Sequence, residues 1–375
     1  MDAVLTEATL ITRPDDLIKL VTQFARQPVL AVDTESNSLY AYQERVCLIQ
    51  FSTPQADYLI DPLAFDDLSP LEAIFADRRI VKVFHAAEYD LICLRRDYGF
   101  QFTNLFDTML ATRILGCKTL GLGSILEAEF GMVVDKRQQR ANWGQRPLPQ
   151  NLLNYARMDT HYLIPLRERL LNDLEKMGRW DLATEDFERL CKINGAAQEE
   201  EPAIIRSIPG GRELLPKQYS VLLQLCTYRE HAAQQMDRPL FKVIGDKTLL
   251  AIAEACPKNP EQLKQLPGMT PGQMDRHGRG IIQAVQRGLA AKPVSPPRSQ
   301  RPDERFLSRL EKLRQWRKKT AQSMGVESDV ILPRDLLHAL AEQNPKTQAN
   351  LALILKDVPW RLNQFGSQIL ELLKG

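Results

Sequence analysis

The sharpest hydropathic pattern in the chain is Val29-Leu30-Ala31-Val32-Asp33-Thr34-Glu35, an apolar run entered after Pro28 that ends in two carboxylates two positions apart. It reads as a buried strand. Side chains alternate along a strand, so Asp33 and Glu35 emerge on one side and like charges meet at the edge of an apolar core. Arg45–Ser52 and Asp57–Asp61 read as two further strands joined by a Thr53-Pro54-Gln55 turn, which suggests an antiparallel meander. A helix is expected from about Ser69 as N-cap, with Pro70 at its first position, through Ala76. Arg79–His85 reads as another strand, running straight into helical spacing over Ala86–Leu94. From Thr103 the pattern turns mainly helical, with a helix beginning at Phe106–Ala111, one capped by Ser124, and one over 150–163 that Pro165 kinks or restarts. Strands first, then alternating strand and helix, predict an α/β domain with a mixed sheet flanked by helices.

Past a change of composition at 193–211 the chain repeats itself. Shifting the numbering by 88 lays Tyr228-Arg229 on Trp316-Arg317, Met236 on Met324, Leu249 on Leu337, Pro257 on Pro345, Gly278 on Gly366 and Ile281 on Ile369, without a gap. That period is too long for a solenoid unit, so it predicts two copies of a small all-helical domain. The expected organisation is 1–185 as the α/β domain, 186–211 as linker, 212–291 as the first helical domain, 292–303 as a stiff, basic, proline-rich connector and 304–374 as the second helical domain.

Composition changes this picture little. The chain has 375 residues, 44% hydrophobic and 26% charged, as in ordinary soluble protein, and no apolar run approaches membrane-spanning length. The N-terminus lacks a basic-then-apolar signal pattern, and a cytoplasmic location is expected. Six scattered cysteines without a CxxC pair predict free thiols, and the five histidines show no metal-ligand spacing. Charge is more informative. Residues 1–185 carry 20 basic and 26 acidic groups, whereas residues 186–375 carry 29 and 21, so an acidic half precedes a basic one. The first is suited to holding cations and the second to meeting a polyanion.

An isolated Asp-x-Glu is usually a polar strand end. Here it has company. Asp90 sits one turn into a helix that follows a strand, and Asp159 lies four residues after Tyr155, on the same helical face. Should Asp33, Glu35, Asp90 and Asp159 converge, they are oxygen ligands for two Mg²⁺ or Mn²⁺ ions, which would activate water and neutralise the leaving oxygen of a phosphodiester. Tyr155, with an ordinary pKa near 10, suits orienting water better than deprotonating it. Asp107 is open between a role behind the site and a helix cap, and a histidine ending a strand, as His85 does, is more often structural. Residues 135–147 form a basic, Trp-containing loop in which Lys136, Arg137, Arg140, Trp143 and Arg146 would stack a base and hold phosphates, or in which the Trp is simply buried. The run Arg305, Arg309, Lys312, Arg314, Arg317, Lys318 and Lys319 is either a solvated face or a phosphate-contacting one.

Asp33-x-Glu35, His85-Ala86-Ala87-x-x-Asp90 and Tyr155-Ala156-x-x-Asp159 resemble the three motifs of the DEDDy 3′→5′ exonucleases, which have an RNase H-like fold. The phrase Arg140-x-x-Trp143-x-x-Arg146-Pro147-Leu148 narrows the resemblance to ribonuclease D, and the duplicated module is similar to the HRDC domain. The resemblance implies that Asp33, Glu35, Asp90 and Asp159 bind two divalent ions and that Tyr155 positions the attacking water. It implies a metal-dependent exoribonuclease trimming RNA from a free 3′ end, tRNA precursors among the substrates, with no membrane and no obligate protein partner. A DNA-directed 3′→5′ exonuclease stays open, because the four carboxylates read backbone and end rather than sugar. So does a nucleic-acid-binding adaptor that has lost its chemistry, although the intact carboxylate set argues against it.

Overall fold

A computed structural model describes residues 7–133, 136–193, 208–296 and 303–374. Its sheet has six strands, β1 (Thr9–Ile11), β2 (Val29–Ser36), β3 (Val46–Ser52), β4 (Asp57–Ile60), β5 (Val81–Phe84) and β6 (Leu105–Asp107), in the order β1-β4-β3-β2-β5-β6. The meander β2-β3-β4 is antiparallel, while β1 joins β4, β5 joins β2 and β6 joins β5 in parallel. Around it pack α1 (Pro14–Phe24), α2 (Glu72–Ala76), α3 (Glu88–Tyr98), α4 (Thr108–Leu115), α5 (Leu122–Phe130), α6 (Gln150–His161), α7 (Leu163–Lys176) and α8 (Trp180–Cys191). Two apolar clusters divide the sheet's faces. Val32, Ile49, Phe51, Tyr58 and Ile60 join the larger one, and Leu48 and Leu59 join Trp143, Leu152, Tyr155 and Ala156 beneath α6.

Local chemistry accounts for where the elements begin. Pro165 restarts the helix as the third residue of α7, where a missing N–H leaves no acceptor idle. Three boundaries differ from expectation. Phe106 is a strand residue, paired with Val83, and the helix starts only at Thr108, with the Asp107 carboxylate accepting from the Leu110 N–H. Ser124 lies inside the first turn of α5, because a start at Leu122 behind Gly121 lets Leu122 pack on the core. Ser69 opens a 3₁₀ turn rather than capping α2, and gives its N–H and hydroxyl to Asp67. Helix α1 carries its own signal, Pro14 at the first position and the stripe Leu17, Leu20 and Phe24. The edge strand β1, three residues long, carries none.

The chain divides into two compact units, 1–36 with 46–195 and 302–375, and 37–45 with 196–301. In the first, the boundary expected at 185 falls inside α8, which the second helical module grips. Arg361, 0% exposed, donates to Glu185 and Asp186 of α8 at 2.9 Å each and to the carbonyls of Val330 and Ile331. The second unit contains the first helical module, built from Pro216–Met236, Leu240–Val243, Asp246–Ala255, Pro260–Lys264 and Pro271–Ala290. Within that unit Tyr42 donates its hydroxyl to Glu230 and its N–H to Asp237. Of the expected 186–211 linker, residues 194–207 lie outside the described residues, and of the expected 292–303 connector, residues 297–302 do.

The repeat holds in detail. Asp237 and Gly325 both end their helices in the left-handed region, as do Cys256 and Asn344, and Asn259 and Thr347 both cap the next helix with their side chains. Arg229 donates to the Ile244 carbonyl at 3.0 Å, and its equivalent Arg317 to that of Leu332 at 2.9 Å. All five pairs keep the offset of 88 residues read from the sequence.

Candidate active site

Strand β2 delivers Asp33 and Glu35 to the face covered by α6, whose four-residue spacing turns Tyr155 and Asp159 towards them. One carboxylate oxygen from each of Asp33, Glu35 and Asp159 falls within 4.8 Å of the others, close enough to hold a metal ion. Asp90 is not in that triplet. It is buried near the start of α3, where the Thr34 hydroxyl donates to its Oδ1. Its charge nevertheless reaches Asp33, Glu35 and Asp159.

The electrostatics follow from this crowding. Burial above all, then Asp90, Asp159 and Glu35, pushes the Asp33 carboxyl well above its usual range. Glu35 is pushed up to about 9 by burial and by Asp159 and Asp90. Burial likewise lifts Asp90 to about 7 against the Thr34 hydrogen bond, and Asp159 to about 7 against a hydrogen bond from Tyr155. Four carboxyls so placed are costly to ionise together unless positive charge joins them, and an all-oxygen donor set suits a hard divalent cation. In the metal-free protein Tyr155 is raised further above its ordinary value by burial and by Asp159, Glu35 and Asp33, against a hydrogen bond from the Gln139 side chain.

Residues the motifs do not name hold this geometry. The Ser52 hydroxyl donates to Asp57 at 2.7 Å and meets Thr160 at 2.7 Å, while His161 Nδ1 lies 2.9 Å from Asp57. These bonds fasten the last turn of α6 to β3 and β4, next to Asp159. Asp107 serves two elements at once, capping α4 and accepting the N–H groups of Ala86 and Ala87. Ala86 has φ 60, a left-handed conformation unusual for alanine, and it turns the chain from β5 into α3 so that Asp90 faces the site. His85, its pKa lowered to about 4 by burial, bonds the Thr108 hydroxyl at 2.9 Å and is a structural, neutral imidazole.

Residues 8–175 match the family model of the 3′-5′ exonuclease, and residues 218–285 and 306–373 each match the HRDC domain. Ribonuclease D of Nitrobacter hamburgensis is 30% identical over 98% of this chain and 95% of its own length, and that of Granulibacter bethesdensis 30% identical over 98% and 93%. The chain belongs to the ribonuclease D family. The crystal structure of Escherichia coli RNase D shares the fold, with a TM-score of 0.73 at 23% identity over 98% of this chain and 99% of that one. The exonuclease family is metal-dependent.

In the basic loop the tryptophan takes the buried one of its two alternatives. Trp143 is 1% exposed, packed among Cys47, Leu48, Leu59, Leu152 and Tyr155, and no ring face is open to a base. Arg146 is committed to Asp61, at 2.6 Å from both Nε and Nη2, and to the carbonyls of Cys47 and Trp143. Both are structural. Arg137 and Arg140 are exposed in the 3₁₀ turn Lys136–Arg140, and the side chain of Lys136 lies outside the described residues. Of the C-terminal basic run, Arg309 and Arg317 turn inward onto the carbonyls of Ala341 and Leu332, whereas Arg305, Lys312, Arg314, Lys318 and Lys319 face solvent. Among the described residues no helix is long and apolar enough to cross a membrane, and all six cysteines are free.

Proposed function

We propose that this chain is a 3′→5′ exoribonuclease in which Asp33, Glu35, Asp90 and Asp159 hold two divalent ions, Mg²⁺ or Mn²⁺, and Tyr155 orients the attacking water. The observation that carries the reading is the gathering of Asp33, Glu35 and Asp159 oxygens within 4.8 Å, with Asp90 electrostatically coupled to them. When bound, the cations supply charge that acidifies water and offsets the negative charge developing on the phosphodiester and its leaving 3′ oxygen. The protein's part is positional. Thr34 fixes the Asp90 carboxylate, and the Ser52–Thr160 contact fixes the helix turn bearing Asp159. Tyr155, whose ordinary pKa near 10 makes it a weak base at neutral pH, acts as a hydrogen-bonding guide for water and leaves proton removal to other groups.

The substrate is RNA with a free 3′ end, tRNA precursors among them, and the product is nucleoside 5′-monophosphate. The relatives' shared name, ribonuclease D, supports RNA over DNA, and the intact carboxylate set supports an active enzyme over an adaptor. The exposed Lys312, Arg314, Lys318 and Lys319 are suited to sequence-blind phosphate contact. The deciding experiment is digestion of a 5′-labelled single-stranded RNA with Mg²⁺ or Mn²⁺ beside the Asp33→Ala variant. A one-nucleotide ladder from the 3′ end, lost by at least a thousandfold in the variant while RNA binding persists, is expected on the magnitudes of metal-assisted catalysis. Undiminished cleavage in EDTA would rule the mechanism out.

A further inference from the structure

Gln50 lies on β3 directly opposite Asp33 on β2. Partners in an antiparallel pair point to the same face, with Cβ atoms about 4.5–5.5 Å apart. That face is the one under α6. Leu48, two positions before Gln50, and Leu59, its partner on β4, both pack there with Tyr155 and Ala156. Gln50 is 0% exposed, and neither its Nε2 nor its Oε1 has a hydrogen-bond partner among the described residues. An amide left so is costly, and an apolar side chain of the same length would avoid the cost, as the two leucines beside it do. A group that brings both a donor and an acceptor to Asp33, and finds use for neither within the protein, is matched to something that arrives.

Each ionised carboxylate offers about four lone-pair sites, of which a cation takes one or two, and those left over are commonly filled by a polar neighbour that fixes the ligand's orientation. We propose that Gln50 is a positioning residue of the metal centre, its amide partnered when a divalent cation binds, with Nε2 donating to the Asp33 oxygen turned away from the cation and Oε1 accepting from a water held at the centre. This rests on the reading of the carboxylates as metal ligands. It sets Gln50 apart from Ser52 and Asp57 on that face, where Trp143 Nε1 is likewise buried without a partner among the described residues. Ser52 and Asp57 are satisfied by each other, by Thr160 and by His161.

The test uses the full chain with Mn²⁺ as probe, and compares Gln50→Met, Gln50→Leu and Asp33→Asn by calorimetric titration and by melting in EDTA. Both Gln50 variants should melt at or above the wild-type temperature without metal, since they remove two unpartnered atoms. They should bind Mn²⁺ roughly 10- to 100-fold more weakly, the usual cost of losing a partner behind a metal ligand. A marked fall in the metal-free melting temperature of both would show that the amide is already satisfied inside the protein and would overturn the proposal. So would unchanged Mn²⁺ affinity in both, provided Asp33→Asn loses binding. If Asp33→Asn also binds as wild type does, the metal-centre reading itself is wrong and Gln50 falls with it.

Discussion

Asp159 isolates what the carboxylates cost the fold. Its carboxyl is held at about 7 against an ordinary 3.8, chiefly by burial, with Asp90 adding and the Tyr155 hydrogen bond opposing. Because the folded value exceeds the unfolded one, the fold binds this proton more tightly than the unfolded chain. The stability so gained is complete below about pH 4 and is lost as pH rises through about 7. At about 1.4 kcal/mol per pH unit of difference, ionising Asp159 in the metal-free fold costs roughly 4 kcal/mol. Asp159→Asn keeps the shape and abolishes the ionisation. In EDTA, variant and wild type should therefore melt together near pH 4, and the variant should melt higher by on the order of 10 °C at pH 8.5 in the transition of the catalytic unit. Adding Mn²⁺ at pH 8.5 should reverse the order, since only the complete carboxylate set gains the free energy of cation binding. Scanning calorimetry over pH 4–9 measures all three. A difference that does not vary with pH, or a variant less stable than wild type at pH 8.5 in EDTA, would refute the electrostatic account.

Arg361→Ala should strip the buried Glu185 of its counter-charge and destabilise the first unit by about 3–5 kcal/mol, seen as a lowered urea midpoint. A loss below about 1 kcal/mol would mean that the pair is solvated. Trp143 divides core from platform. Trp143→Ala should cost about 3–5 kcal/mol of stability. Trp143→Phe should leave RNA affinity within about twofold, and a tenfold loss by fluorescence titration would restore the stacking role.

Much of this protein is written locally. The alternation through Val29–Glu35, the four-residue step from Tyr155 to Asp159, and the uninterrupted offset of 88 residues each depend on short-range periodicity, and each reappears in the structure at the positions read. What the sequence left open depended on partners far along the chain. Phe106 looked helical because three residues of strand are too few to show a period, and only pairing with Val83 makes them a strand. Trp143 and Arg146 look like nucleic-acid ligands until Leu48, Leu59 and Asp61 close over them. Asp107 carries two jobs that no spacing can express, because the N–H groups it accepts come from another segment. The same holds for Gln50, which in sequence is one polar residue in an apolar strand. Tertiary register alone sets it opposite Asp33 and leaves its amide without a partner. Periodicity fixes which face a side chain takes, and only packing decides what waits on that face.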